Sequence, residues 1–124
     1  MNEPPKLFVL VDDKRDTPDE ESTVIIRDPR IAFDALCRLS PIHTLAMDND
    51  MGHGWEFEGR NILKKFLAAC EPWLGSGQGR PFPNPDYPTF VMLVTSNGPA
   101  AIDMAGTLRQ HGYTREGVDR WVKL

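Results

Sequence analysis

LFVLVDDKR, residues 7–15, decides the fold. Five apolar residues, Leu7 to Val11, run without alternation and stop at two adjacent aspartates, Asp12 and Asp13. A half-buried strand alternates apolar and polar side chains, whereas a strand covered on both faces is apolar throughout. The stretch therefore reads as a central strand of a parallel sheet that ends in carboxylates. The same grammar recurs twice. Thr44 to Met47 (TLAM) is followed by Asp48, Asn49 and Asp50, and Phe90 to Val94 (FVMLV) by Thr95, Ser96 and Asn97. A fourth run, Thr23 to Ile26, is shorter and follows the polar stretch Asp16 to Ser22, which places it at a sheet edge. Leu7 to Val11 is expected at the centre, flanked by the runs at Thr44 and Phe90.

Helical patterns separate these runs. Asp28 caps a helix that has Pro29 at its first position, with Ala32, Leu36 and Leu39 on one face. Between Gly59 and Cys70, the residues Ile62, Leu63, Phe66, Leu67 and Cys70 form a stripe at helical spacing, with Arg60, Lys64 and Lys65 outside it. A third helix begins at Pro99, turns Ala101, Met104, Ala105 and Leu108 inward, and stops at Gly112, which tolerates a left-handed turn. This order implies an α/β fold, a three-layer sandwich around a mostly parallel sheet, in a single domain over 1–124. Pro72 to Pro88 holds eight of the 21 Gly and Pro residues. It reads as a long surface loop inserted in that domain, and Trp73, Phe82 and Tyr87 suit it to contact with a partner.

Composition narrows the function. The chain has 124 residues, 40% hydrophobic and 26% charged, enough to bury a core without a metal or disulfide staple. No apolar stretch is long enough for a membrane span, and MNEPPK is not a signal peptide, so a cytoplasmic location is expected. A net charge of −4 excludes bulk binding to a DNA backbone. Cys37 and Cys70 fall at apolar helix positions and read as buried, reduced thiols.

The chemistry lies at the strand ends. In an open parallel sheet, the carboxyl ends of neighbouring strands border the crevice where ligands bind. Converging carboxylates there repel one another, and a hard divalent cation relieves the repulsion. Mg²⁺, or Mn²⁺, is the expected cofactor. Ser96 and the backbone N–H groups entering the Pro99 helix then offer donors to a phosphate.

The succession LFVLVDDKR, LAMDNDMG, LVTSNGP resembles a receiver domain, the flavodoxin-like fold of two-component response regulators. It is more closely similar to the stand-alone cyclic-phosphate processing receiver domain, with its LDDxR, LDHDLG-like and HSxNP-like segments. The similarity runs from Leu7 to about Gly112. It implies that Asp12, Asp13 and Asp48 hold the metal, with a backbone carbonyl near Asp50 as a further ligand. Asp48 takes the position of the phosphoacceptor or third carboxylate, and Asp50 that of the second acidic residue. Ser96 matches the hydroxyl that contacts phosphate, and Arg15 the arginine of the opening motif; Asn97 lies beside Ser96 in the phosphate-contacting segment. Asp48, Asp50 and Ser96 are thereby the implied catalytic set. Asn49 and Thr95 stand where the family usually has His. If those histidines transfer protons, this chain binds phosphate without turnover or uses another base. Lys123 is the sole candidate for the lysine that closes the last strand of ordinary receivers.

The function implied is Mg²⁺-dependent processing of a cyclic or terminal phosphate on a small phosphorylated substrate, a nucleotide or an RNA end. One alternative is a single-domain phosphoacceptor receiver. Another is a phosphate-inert module that meets a protein partner through the loop at 72–88. A third reads Asp48-Asn49-Asp50 as the DxD of a haloacid dehalogenase-like phosphatase, but that family places DxD after its first strand and needs a longer chain. His43, His111 and Trp121 read as structural. His53, Arg60 and Arg80 are secondary candidates for reaching the crevice or a substrate phosphate.

Overall fold

Phe8–Val11, four of the five residues of the first apolar run, forms an interior strand. The computed structural model describes residues 7–13, 23–52, 54–71 and 85–123. Its elements are β1 (Phe8–Val11), β2 (Thr23–Ile26), α1 (Ala32–Leu39), β3 (Thr44–Met47), α2 (Gly59–Cys70), β4 (Phe90–Leu93), α3 (Gly98–Gln110), β5 (Tyr113–Arg115) and β6 (Arg120–Lys123). Short 3₁₀ turns at Pro29–Ile31 and Trp55–Phe57 lead towards α1 and α2. The strands form one sheet in the order β2-β1-β3-β4-β6-β5. β2, β1, β3 and β4 are mutually parallel, and β6 runs antiparallel to both β4 and β5.

One expectation is corrected here. β1 lies between β2 and β3, not between the runs at Thr44 and Phe90, and β3 is the strand that separates β1 from β4. The reason is directional. From β2, the α1 connection passes over β1 to reach β3, and the α2 connection steps the same way to β4. The structure also adds two strands that the sequence pattern did not announce, the β5–β6 hairpin, which completes the sheet beyond β4. Its strands are short and contain charged residues at their ends, so they lack the continuous apolar signal of the central strands.

Right-handed crossovers that all step one way put their helices on one face. The side chains agree. Val9, Val11, Leu45, Met47, Val91 and Leu93 share one core with Leu36 of α1, Phe66 of α2 and Met104 of α3. Each fully buried side chain of this kind stabilises the fold by about 1.5–3 kcal/mol relative to exposure. Strand side chains alternate, so Phe8, Leu10, Ile25, Ala46, Phe90, Met92 and Val122 belong to the opposite face. The α/β class and the mostly parallel sheet stand. A helical layer on that second face is not found among the described residues.

Local chemistry sets the element ends. Asp28 Oδ1 accepts from the Arg30 backbone N–H at 2.9 Å, capping the turn that Pro29 opens. Asn97 caps α3 by accepting from the Ala100 N–H at 3.1 Å. Gly112 takes φ +85° after α3, and a Cβ there would lie 2.7 Å from Lys123 Nζ. Cys70 is buried and free, and burial pushes its thiol up to about 12, which makes it a poor nucleophile. Cys37 is also free but only half-buried, so one of the two thiols is more accessible than expected.

Residues 72–84 of the expected loop, with Trp73, Arg80 and Phe82, lie outside the described residues. The last four, 85–88, do not behave as a solvated insertion. Pro85 and Pro88 are buried, Tyr87 packs against the core, and Tyr113 Oη donates to the Pro88 carbonyl at 2.5 Å. Among the described residues, no helix is long and apolar enough to cross a membrane.

Candidate metal centre

The register of the parallel strands decides what meets at their carboxyl ends. Val11 is level with Ile26 and Met47, and Met47 is level with Leu93. The ladder then continues one residue further. Asp12 N–H donates to Ile26 O (3.1 Å), Asp48 N–H to Val11 O (3.0 Å) and Val94 N–H to Met47 O (3.1 Å). The backbone itself thus holds the first residue beyond each strand in line.

Asp12, Asp13 and Asp48 consequently converge: each offers a carboxylate oxygen, and the three atoms lie within 4.8 Å of one another. Asp12 is 2% exposed, while Asp13 and Asp48 are half-buried. Asp12 makes interactions of its own, yet its Oδ2 atom is buried and accepts no hydrogen bond from the described residues. The trio is a graded funnel, closed at Asp12 and open at the other two.

The loop after β3 is pinned from below. Asn49 is fully buried, and its Nδ2 donates to Asp50 Oδ1 and to Glu58 Oε1, both at 3.1 Å. Its Oδ1 accepts from the Arg60 backbone N–H at 3.0 Å, and its carbonyl accepts from the Gly59 N–H at 3.0 Å. The start of α2 is therefore bolted to the loop that carries Asp48. Arg60 continues the chain of contacts, pairing with Glu58 at 3.4 Å and reaching Asp103 of α3 at 3.9 Å. It serves this bracket, which explains its half-buried position.

A second bracket joins this loop to the end of β4. Asp50 Oδ1 also accepts from Asn97 Nδ2 at 3.3 Å. Asn97 thus uses its Oδ1 for the α3 cap and one Nδ2 hydrogen for Asp50, which gives its side chain a positioning role and leaves the second Nδ2 hydrogen for another acceptor. Thr95 Oγ1 accepts from the Asn97 N–H at 3.1 Å. Ser96 is exposed beside them.

The expected site residues divide cleanly. Asp12, Asp13 and Asp48 are brought together, and Asp50, Ser96 and Asn97 lie on the adjoining loops. Arg15 and His53 lie outside the described residues. Lys123 is corrected: β6 runs antiparallel, and the Lys123 N–H donates to Thr89 O, at the amino end of β4. Its Nζ donates to the His111 carbonyl and sits 4.4 Å from the Tyr87 ring centroid. Lys123 is thus at the end of the sheet opposite the carboxylates. His111 lies beside it, 3.2 Å from Glu71, and His43 packs against Phe90, so both histidines are structural.

Asn49 and Gly59 were not singled out as a structural pair from the sequence. The available signal was a glycine opening an otherwise strong helix, eleven residues after Asp48. Asn49→Ala removes two donated hydrogen bonds and leaves the Arg60 N–H without its acceptor. A loss of roughly 1–3 kcal/mol is expected in chemical denaturation. A change below about 0.5 kcal/mol, within the range of ordinary surface substitutions, would show that the bracket carries no load.

Compared with protein-family models, with curated proteins and with solved structures, the chain shows no match.

Proposed function

We propose that the chain is a receiver-like, Mg²⁺- or Mn²⁺-dependent domain that binds and processes a cyclic or terminal phosphate on a nucleotide or RNA end. The observation that carries this is the convergence of Asp12, Asp13 and Asp48 at the carboxyl end of adjacent parallel strands. Three hard oxygen donors of like charge, graded from buried to open, fit a small divalent cation that keeps several waters. When bound, the cation supplies charge neutralisation and polarises a phosphoryl oxygen.

The chain's own groups do the rest. Asp48, half-buried at the mouth, is the carboxylate best placed to face an incoming phosphate. Of the N–H groups from 97 to 101, those of Asn97, Ala100 and Ala101 are engaged and Pro99 has none. The donors offered to phosphate are therefore the Ser96 hydroxyl, the Gly98 N–H and the second Nδ2 hydrogen of Asn97. Asp50 keeps Oδ2 for a proton while two amides hold Oδ1. A cytoplasmic setting and a protein contact through the loop at 72–88 belong to the same proposal.

One observation favours a second reading. Asn49 is buried in its bracket, and Thr95 accepts from Asn97, so neither position where the family usually has His carries a proton shuttle. On that second reading the chain binds phosphate without turnover, whereas on the first Asp50 or another group is the base. The test is incubation with 2′,3′-cyclic nucleotides and with acetyl phosphate, with and without Mg²⁺. Metal-dependent hydrolysis of a cyclic phosphate, lost in Asp48→Asn, is the expected result. A hydroxylamine-sensitive acyl phosphate on Asp48 would reassign the chain as a phosphoacceptor. No turnover of either compound, with metal bound, would leave a binding module.

A further inference from the structure

We propose that the recess beside Ser96 is a base pocket, and that its ligand is a guanine nucleotide whose N1–H and exocyclic amine donate to Asp119. The inference rests on reading the carboxylate end of the sheet as a phosphate site. It is carried by a separate feature, a recess of about 300 Å³ lined by Met92, Leu93, Val94, Thr95, Ser96 and Asp119. Ser96 belongs both to this recess and to the loop that borders the carboxylates, so one ligand can occupy both.

The dimensions agree. Leu93 N–H donates to Asp119 O at 2.9 Å, which fixes Asp119 beside the end of β4. Ser96 lies three residues further along, a reach of at most about 10 Å. That is the span between a nucleotide's phosphate and the far edge of its base. The lining suits a base as well. Met92 and Val94 are half-buried and supply an apolar surface for a ring. Asp119 is exposed at the turn between β5 and β6, and its carboxylate makes no hydrogen bond or ion pair among the described residues.

A carboxylate only accepts, through two oxygens side by side. Guanine presents two adjacent donors, N1–H and N2–H. Adenine and cytosine each set an acceptor next to their amine, which a carboxylate repels. A carboxylate that accepts from two ligand N–H groups favours guanine over analogues that lack those donors or set an acceptor against it.

The experiment measures binding of GMP, AMP, ribose 5-phosphate and inorganic phosphate by calorimetry in millimolar Mg²⁺, with guanosine and adenosine followed through the Met92 methyl resonance. GMP is expected to bind at least about tenfold more tightly than AMP or ribose 5-phosphate. Asp119→Asn should bring GMP down to the level of AMP while leaving Mg²⁺ and inorganic phosphate affinities unchanged. Equal affinity for GMP and ribose 5-phosphate, or an Asp119→Asn variant that still prefers GMP, overturns the base pocket alone. Failure of inorganic phosphate to bind overturns the phosphate site. Guanosine then decides the recess by itself: a shift of Met92 with guanosine and not adenosine upholds it, and no shift overturns it.

Discussion

Millimolar Mg²⁺ or Mn²⁺ is expected to raise the melting temperature of this domain by roughly 10 °C. A ligand that binds only the folded state adds about 2.7 kcal/mol at a hundredfold excess over its dissociation constant. For a domain of this size, each kcal/mol moves the midpoint by about 3–5 °C. Asp13→Asn abolishes the rise, because it removes one of three carboxylates whose oxygens lie within 4.8 Å. The same substitution raises the metal-free stability, since one of three mutually repelling charges is gone. The two effects have opposite signs, which separates a metal site from a simple packing role. Asp48→Asn follows the same pattern and also removes any phosphoryl chemistry. Scanning calorimetry with and without metal reads both. A wild-type midpoint indifferent to millimolar metal would reduce the trio to strand-end capping and remove the basis of the proposed function.

Gly59→Ala is expected to be the most damaging single methyl in the described structure. A Cβ at this position would lie 1.7 Å from the Asp48 carbonyl oxygen, 2.7 Å from its carbon and 2.9 Å from Asn49 Cα. All three are backbone atoms, so no side chain can swing aside. Either α2 retreats from the sheet or the Asp48–Asp50 loop is pushed outward. Retreat loosens Ile62, Leu63 and Phe66 in the core, and overpacking of this kind typically costs 1–3 kcal/mol or more. Movement of the loop breaks the Asn49 bracket and displaces Asp48 from the trio. A destabilisation of at least about 3 kcal/mol, with loss of the metal-induced rise, is therefore expected in urea titrations. Alanine normally favours a helix over glycine by about 1 kcal/mol. A Gly59→Ala variant as stable as the wild type would mean that α2 does not press on the metal loop.

The central strands were legible because each is a continuous apolar run that ends abruptly in polar residues. Leu7 to Val11, Thr44 to Met47 and the start of Phe90 to Val94 needed only that contrast. The acidic trio was legible for the same reason, since parallel register brings successive strand ends together whichever strand lies between. Lateral order was not: Leu7 to Val11 looks equally central with either set of neighbours, and only the direction of the crossovers distinguishes them. Asn97 shows another limit. An asparagine before Gly-Pro reads as a cap or as a phosphate contact, and its bond to Asp50 at 3.3 Å, made by one of its two amide hydrogens, is a long-range contact that no local pattern announces. Lys123 failed as a site residue because strand polarity is invisible in RWVKL, and reversing one strand moves its lysine to the other end of the sheet.

The position of β6 has a bearing on how the chain is assembled. β5 is made first, but its only neighbour among the described strands is β6, which is inserted between β5 and β4. Until residues 120–123 leave the ribosome, β4 has an open edge, and Tyr113 has no ladder to join. The parallel half can form early, with the acidic ends already aligned. Its right-hand border waits for Trp121, which seals Val91 through the β4–β6 pairing and Arg115 through the β5–β6 pairing. An emerging chain of this design passes through a stage in which the site precedes its own sheet's completion. The open edge of β4 at that stage is the surface on which two nascent chains would join wrongly, and insertion of four residues closes it.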